Sequence, residues 1–90
     1  MSKTILVIED DQDILDHVCD LLRKRIPPFV ILAANNFSDG LRLAVEMRPS
    51  VTVLDLNIGY ETSGLRTLRT FIDRLDGNPP AAVLVITGMH

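Results

Sequence analysis

Short apolar runs alternate along this chain with longer segments whose apolar residues recur at helical spacing. Four runs rich in Val, Ile, Leu and Ala cover residues 4–8, 29–33, 51–54 and 81–86. Runs of this length, bounded by turn residues, are typical of buried strands. The segments between them repeat their apolar residues every three or four positions, as amphipathic helices do. The pattern therefore predicts the order β-α-β-α-β-α-β.

Capping and breaking residues set the limits of the three predicted helices. Asp11 directly follows the first strand and can cap the first helix, which Pro27-Pro28 ends. Ser38 or Asp39 can cap the second helix, and Gly64 opens the third. The predicted inward faces of the three helices are, in order, Ile14, Val18, Leu21, Leu22 and Ile26; Leu41, Ala44 and Val45; and Leu65, Leu68, Ile72 and Leu75.

Strands that alternate with helices predict a parallel sheet with right-handed crossovers. Ligands of such open α/β sheets bind beyond the carboxyl ends of the strands. Polar residues follow three of the predicted strands at this end: Glu9-Asp10 after the first, Asp55 after the third and Thr87 after the fourth. We therefore expect these side chains to lie close together and to form the functional site.

Three neighbouring carboxylates, those of Glu9, Asp10 and Asp55, repel one another, which raises the pKa of at least one of them. A hard divalent cation relieves that repulsion, and Mg²⁺ needs only one or two protein carboxylates besides water and phosphate. A carboxylate can also act as a nucleophile and form an aspartyl phosphate. The hydroxyl of Thr87 could donate a hydrogen bond to such a phosphoryl group. The pattern thus indicates an Mg²⁺ site beside a phosphoryl acceptor.

Composition narrows the class of protein. A chain of 90 residues, 47% apolar, forms one domain with a small core. Its net charge of −3 argues against direct binding of nucleic acid. The single cysteine, Cys19, cannot form an internal disulfide, and no apolar run is long enough to span a membrane. We expect a cytoplasmic protein that is not bound to a membrane.

The residues around the predicted site resemble a response-regulator receiver domain of two-component signalling. The matching segments are Ile5–Asp11, Pro49–Asp55 and Val83–Gly88, and the resemblance extends over essentially the whole chain. It implies a flavodoxin-like (CheY-like) α/β fold, an open parallel sheet with strand order 2-1-3-4. It also implies a signalling domain rather than an enzyme.

The resemblance assigns a role to each candidate residue. Asp55 would accept a phosphoryl group from a phosphohistidine on a sensor histidine kinase or a phosphotransfer protein. Asp10 would bind Mg²⁺ directly, with Glu9 close by, and Asn57 would offer its backbone carbonyl to the metal. Thr87 would move toward the phosphoryl group and so switch the conformation of the domain.

The chain departs from the family pattern in two regions. Ile58-Gly59 stands where the family usually has Met-Pro, and Gly64 lies one residue later than the usual glycine. A full receiver also has a fourth helix, a fifth strand ending in a lysine, and a fifth helix. Residues 1–90 are therefore expected to be one receiver domain that is incomplete at its C-terminal end. Its fourth strand would be an exposed edge, which predicts a homodimer or a domain swap.

Two alternative functions stay open on the sequence. The first is a partner-binding pseudo-receiver that keeps the fold without phosphotransfer. The second is a phosphatase of the haloacid-dehalogenase type, which also uses a strand-end aspartate, Mg²⁺ and a Thr or Ser. In that alternative Asn57 stands where the acid–base aspartate is usual, and Glu9-Asp10 has no role.

Overall fold

The computed structural model describes residues 3–55, 64–75 and 82–86. They form seven elements in the predicted order: β1 (Thr4–Ile8), α1 (Gln12–Arg25), β2 (Val30–Ala34), α2 (Phe37–Met47), β3 (Val51–Asp55), α3 (Gly64–Arg74) and β4 (Ala82–Ile86). Among the described helices, none is both long and apolar enough to cross a membrane.

The four strands form one parallel sheet in the order β2-β1-β3-β4. Ile8 of β1 lies opposite Leu54 of β3, and Asp55 lies opposite Ile86 of β4. Both the parallel pairing and the strand order are as predicted. The carboxyl ends of β1, β3 and β4 therefore meet at one edge of the sheet.

The predicted limits of β2 and the predicted cap of α2 are wrong. β2 is Val30–Ala34 rather than residues 29–33. The cap of α2 is Asn36 instead of Ser38 or Asp39, because the extended backbone of Asn36 lets its Oδ1 accept the N–H of Asp39 at 2.8 Å. Asn is at least as good an N-cap as Ser, so α2 begins earlier than predicted.

Period-two alternation divides the core between the two faces of the sheet. On one face, α1 packs over the α1 cluster, defined as Ile5, Val7, Leu15, Cys19, Ile31 and Val53. On the other, α2 and α3 pack over the α2/α3 cluster, defined as Leu6, Ile8, Ala34, Ala44, Leu54, Phe71 and Leu75. The strand β1 contributes to both clusters, which explains why it is a continuous apolar run.

The predicted face of α1 is rotated by about one residue from the observed one. Leu15 and Cys19 are its buried residues, whereas Ile14 and Leu21 are 36% and 47% exposed. Val18, Leu22 and Ile26 lie at the margin of the α1 cluster. The apolar stripe of α1 is wider than its contact with the sheet, so periodicity alone identified the helix but misplaced the centre of its packing face.

Smaller corrections apply to the other two helices. Ala44 is buried and Leu41 packs against the α2/α3 cluster as predicted, but Val45 is 42% exposed. On α3, Leu75 is buried as predicted, whereas Ile72 is exposed and Phe71 fills the core instead. The Phe71 ring meets that of Phe37 edge to face, with centroids 6.0 Å apart. The side chains of Leu65 and Leu68 lie outside the described part of the chain.

Candidate functional site

Two buried strands place two carboxylates side by side. Glu9 directly follows β1 and continues the row of Ile5 and Val7, which face α1. Asp55, at the end of β3, continues the row of Val53. Because Ile8 lies opposite Leu54, the next residues along the two strands are Glu9 and Asp55. Parallel pairing and alternation together bring these two acids to the same face at the same edge.

The structure brings together three of the predicted site residues. One carboxylate oxygen each from Glu9, Asp10 and Asp55 lies within 4.8 Å of the others. Glu9 is 6% exposed and Asp55 is 2% exposed, whereas Asp10 is exposed to solvent. Glu9 and Asp55 thus form the buried part of the cluster, and the cluster is open to water on the side of Asp10.

Backbone hydrogen bonds hold the connection between β1 and α1 at this edge. The Glu9 N–H donates to the carbonyl of Ala34 at 3.0 Å, which continues the pairing of β1 with β2. The Asp11 N–H donates to Oε1 of Glu9 at 3.1 Å. The Asp11 side chain in turn caps α1 by accepting from the N–H groups of Asp13 and Ile14, as predicted. Asp11 therefore does two things, of which the sequence indicated only the cap.

The surroundings of Glu9 in the cluster raise its pKa. Burial is the largest cause that raises the pKa of Glu9 from 4.5 to about 7, and its hydrogen bond with Asp55 and the negative charge of Asp55 add to it. The N–H of Asp11 acts in the opposite direction, because it stabilises the ionised form. The prediction that at least one carboxyl would have a raised pKa is confirmed, although burial contributes more than repulsion does.

These three residues fit a hard divalent cation. All three offer carboxylate oxygens, which Mg²⁺ and Ca²⁺ prefer, and a cation would also stabilise the ionised form of Glu9. The cluster is exposed to solvent on the side of Asp10, where water could complete the coordination shell. Asn57 and Thr87, the other two predicted site residues, lie outside the described residues.

Comparison with solved structures gives high-scoring matches to receiver domains. The chain is 27% identical to the signal receiver domain of a DNA-binding response regulator from Colwellia psychrerythraea 34H, with a TM-score of 0.79. That match covers 98% of this chain and 70% of the Colwellia chain. It is 28% identical, with a TM-score of 0.75, to a response regulator from Burkholderia pseudomallei whose structure holds a phosphorylated aspartic acid, a calcium ion and citrate. A LuxR-family two-component response regulator from Aurantimonas sp. SI85-9A1 is 25% identical, also with a TM-score of 0.75.

These matches confirm the resemblance to response-regulator receiver domains and the CheY-like fold. No protein-family model and no curated protein matches the chain. The match covers 98% of this chain and 48% of the Burkholderia protein, and 100% of this chain and 61% of the Aurantimonas protein. The chain therefore spans only about half to two thirds of the length of those two relatives.

Proposed function

We propose that this chain is the phosphoacceptor receiver domain of a two-component response regulator, and that Asp55 takes the phosphoryl group in an Mg²⁺-dependent reaction. One observation carries the proposal. Asp55 is a buried carboxylate at the carboxyl end of a central parallel strand, with carboxylate oxygens of Glu9 and Asp10 within 4.8 Å. Holding three carboxylates together, two of them buried, costs free energy, which favours a functional reason for the cluster.

In the proposed reaction, a carboxylate oxygen of Asp55 attacks the phosphorus of a phosphohistidine. The new O–P bond forms as the P–N bond breaks, and the histidine nitrogen leaves with the electron pair. The donor is a sensor histidine kinase or a phosphotransfer protein. Glu9 and Asp10 would hold Mg²⁺ with Asp55 and the backbone carbonyl of Asn57. When bound, the cation neutralises the charge of the transferring group.

Thr87 would then donate its hydroxyl to the phosphoryl group and favour one of two conformations of the domain. Ile86, the residue before Thr87 in the sequence, pairs with Asp55 across β3 and β4, which supports this role for Thr87. A signalling role of this kind makes the domain a switch in the cytoplasm rather than an enzyme acting on a separate substrate.

Intact-mass spectrometry after incubation with acetyl phosphate and Mg²⁺ tests the acceptor. The chain should gain the mass of one phosphoryl group, and Asp55→Asn should abolish the gain. Asp39→Asn makes the same chemical change at an exposed aspartate on α2 and should leave phosphorylation intact. Removal of Mg²⁺ with a chelator should suppress the gain in the unaltered chain.

The alternatives give different results in the same experiment. A stable fold that gains no mass, in this chain and in one extended to the length of its relatives, would refute phosphotransfer and favour a partner-binding pseudo-receiver. Steady turnover of a generic phosphomonoester would favour the phosphatase. Pairing or swapping through the β4 edge remains a separate prediction, for which light scattering should show a dimer.

A further inference from the structure

The last residue of β2 and the residue that follows it hold the connection between β1 and α1 at both of its ends. Ala34 accepts the N–H of Glu9 through its carbonyl at 3.0 Å. The next residue, Asn35, donates from Nδ2 to Oε1 of Gln12, also at 3.0 Å. Asp10 and Asp11 lie between these two hydrogen bonds. The four-residue stretch 9–12 is therefore tied to β2 and its following turn on both sides of Asp10.

Further hydrogen bonds orient the two amide side chains. Nε2 of Gln12 donates to Oδ1 of Asp16, one turn further along α1, at 2.8 Å. Oδ1 of Asn35 accepts from Nδ2 of Asn36 at 3.0 Å, and Asn36 is the N-cap of α2. The amides of Gln12 and Asn35 thus each use both a donor and an acceptor, which fixes which way each amide faces. The pair links the first turn of α1 to the cap of α2 across the edge of the sheet.

We propose that Asn35, through Gln12, is a positioning residue for the acidic site. The proposal rests on the function proposed above, in which Asp10 binds Mg²⁺. Glu9 and Asp55 are placed by buried strands, but Asp10 is exposed and lies in the connection itself. The backbone of that connection decides where the Asp10 carboxylate stands. A connection anchored at both ends holds Asp10 in its binding position before the cation binds, so less ordering is needed on binding.

The expected effect is modest, because both amides are exposed. Loss of one such hydrogen bond should weaken Mg²⁺ binding by about twofold to tenfold. Because the two residues act through a shared bond, the losses should not multiply. Asn35→Ala, Gln12→Ala and the double variant should all bind Mg²⁺ with the same reduced affinity.

Two NMR measurements test the proposal: Mg²⁺ titrations of the folded protein, and amide hydrogen exchange of Asp11 without metal. We expect Asn35→Ala to lower the Mg²⁺ affinity and to speed the exchange of the Asp11 N–H, which donates to Glu9. Ser38→Ala removes another exposed polar side chain near the same turn and should change neither. A residue that only stabilised the fold would lower the free energy of unfolding without changing the Mg²⁺ affinity of the folded state.

Each remaining outcome has one meaning. Wild-type Mg²⁺ affinity and wild-type Asp11 exchange in Asn35→Ala would overturn the proposal, as would losses that multiply in the double variant. Absence of Mg²⁺ binding by the unaltered chain would instead overturn the proposed function. In that case the exchange of Asp11 would still show whether Asn35 and Gln12 hold the connection.

Discussion

The raised pKa of Glu9 predicts how the stability of the fold depends on pH. Between pH 4.5 and about 7, the folded chain keeps a proton on Glu9 that the unfolded chain has released. Rising pH therefore favours unfolding within that window. The contribution of Glu9 to the free energy of unfolding is largest below pH 4.5, decreases between pH 4.5 and about 7, and is constant above that range.

The size of the effect follows from the two pKa values. A change from 4.5 to about 7 corresponds to a loss of about 3 kcal/mol, at about 1.4 kcal/mol for each tenfold change in the proton equilibrium. That is an upper limit, because the cluster opens to water at Asp10, and water screens the charge of ionised Glu9. A loss of about 1–3 kcal/mol would be a large part of the stability of so small a domain.

Urea unfolding followed by circular dichroism at pH 5 and pH 8 measures this loss. Glu9→Gln removes the titration but keeps the shape and the oxygen that accepts the Asp11 N–H at 3.1 Å. The difference between the variant and the unaltered chain cancels the titration of groups that do not interact with Glu9. We expect the two to be similar at pH 5, and the variant to be more stable by about 1–3 kcal/mol at pH 8. The same pH dependence in both proteins would refute the reasoning.

Three further substitutions test the packing by the free energy of unfolding. In Gly40→Ala the new Cβ would lie 2.6 Å from Cδ1 of Ile8. This overpacking should outweigh the gain in helix propensity and destabilise the fold by about 1–2 kcal/mol. The same substitution should cost less in an Ile8→Ala background, where the contact is absent. Thr52→Val should stabilise by about 1 kcal/mol, because the fully buried hydroxyl of Thr52 has no hydrogen-bond partner within the described residues; a clear loss would contradict this. Arg48→Gly should stabilise by up to about 1 kcal/mol, because Arg48 caps α2 with a φ of 45°; an unchanged or lower stability would show that no strain is relieved.

The sequence predicted the topology in two steps. Apolar runs that alternate with helices predicted the parallel pairing, and the resemblance to receiver domains implied the strand order that makes β1 and β3 neighbours. Alternation along these two strands then puts Glu9 beside Asp55. The centre of the α1 face and the exposure of Val45 depend instead on how far each helix is rotated against the sheet. A wide apolar stripe does not determine that rotation, so Leu15 was missed.

The electrostatic character of the site was also only partly predictable. Three neighbouring acids indicate repulsion, but burial is the main cause of the raised pKa of Glu9. Burial depends on how neighbouring elements cover the strand ends, which no local pattern shows. The same limit applies to Asn35, whose link to Gln12 joins residues 23 positions apart.

The proton on Glu9 and a bound cation compete for the same cluster, which gives a final prediction about metal binding. Below about pH 7, Mg²⁺ must displace that proton, so its affinity should fall by about tenfold for each pH unit down to the ordinary range of carboxyl titration. Glu9→Gln has no proton to displace there, and its weaker Mg²⁺ binding should vary little between pH 5 and 7. Calorimetric titration in two buffers of different ionisation enthalpy would count the released protons. If Mg²⁺ binds the unaltered chain equally well at pH 5 and pH 7, Glu9 does not share its charge with the metal, and of the three clustered acids Asp10 and Asp55 would then bind the cation.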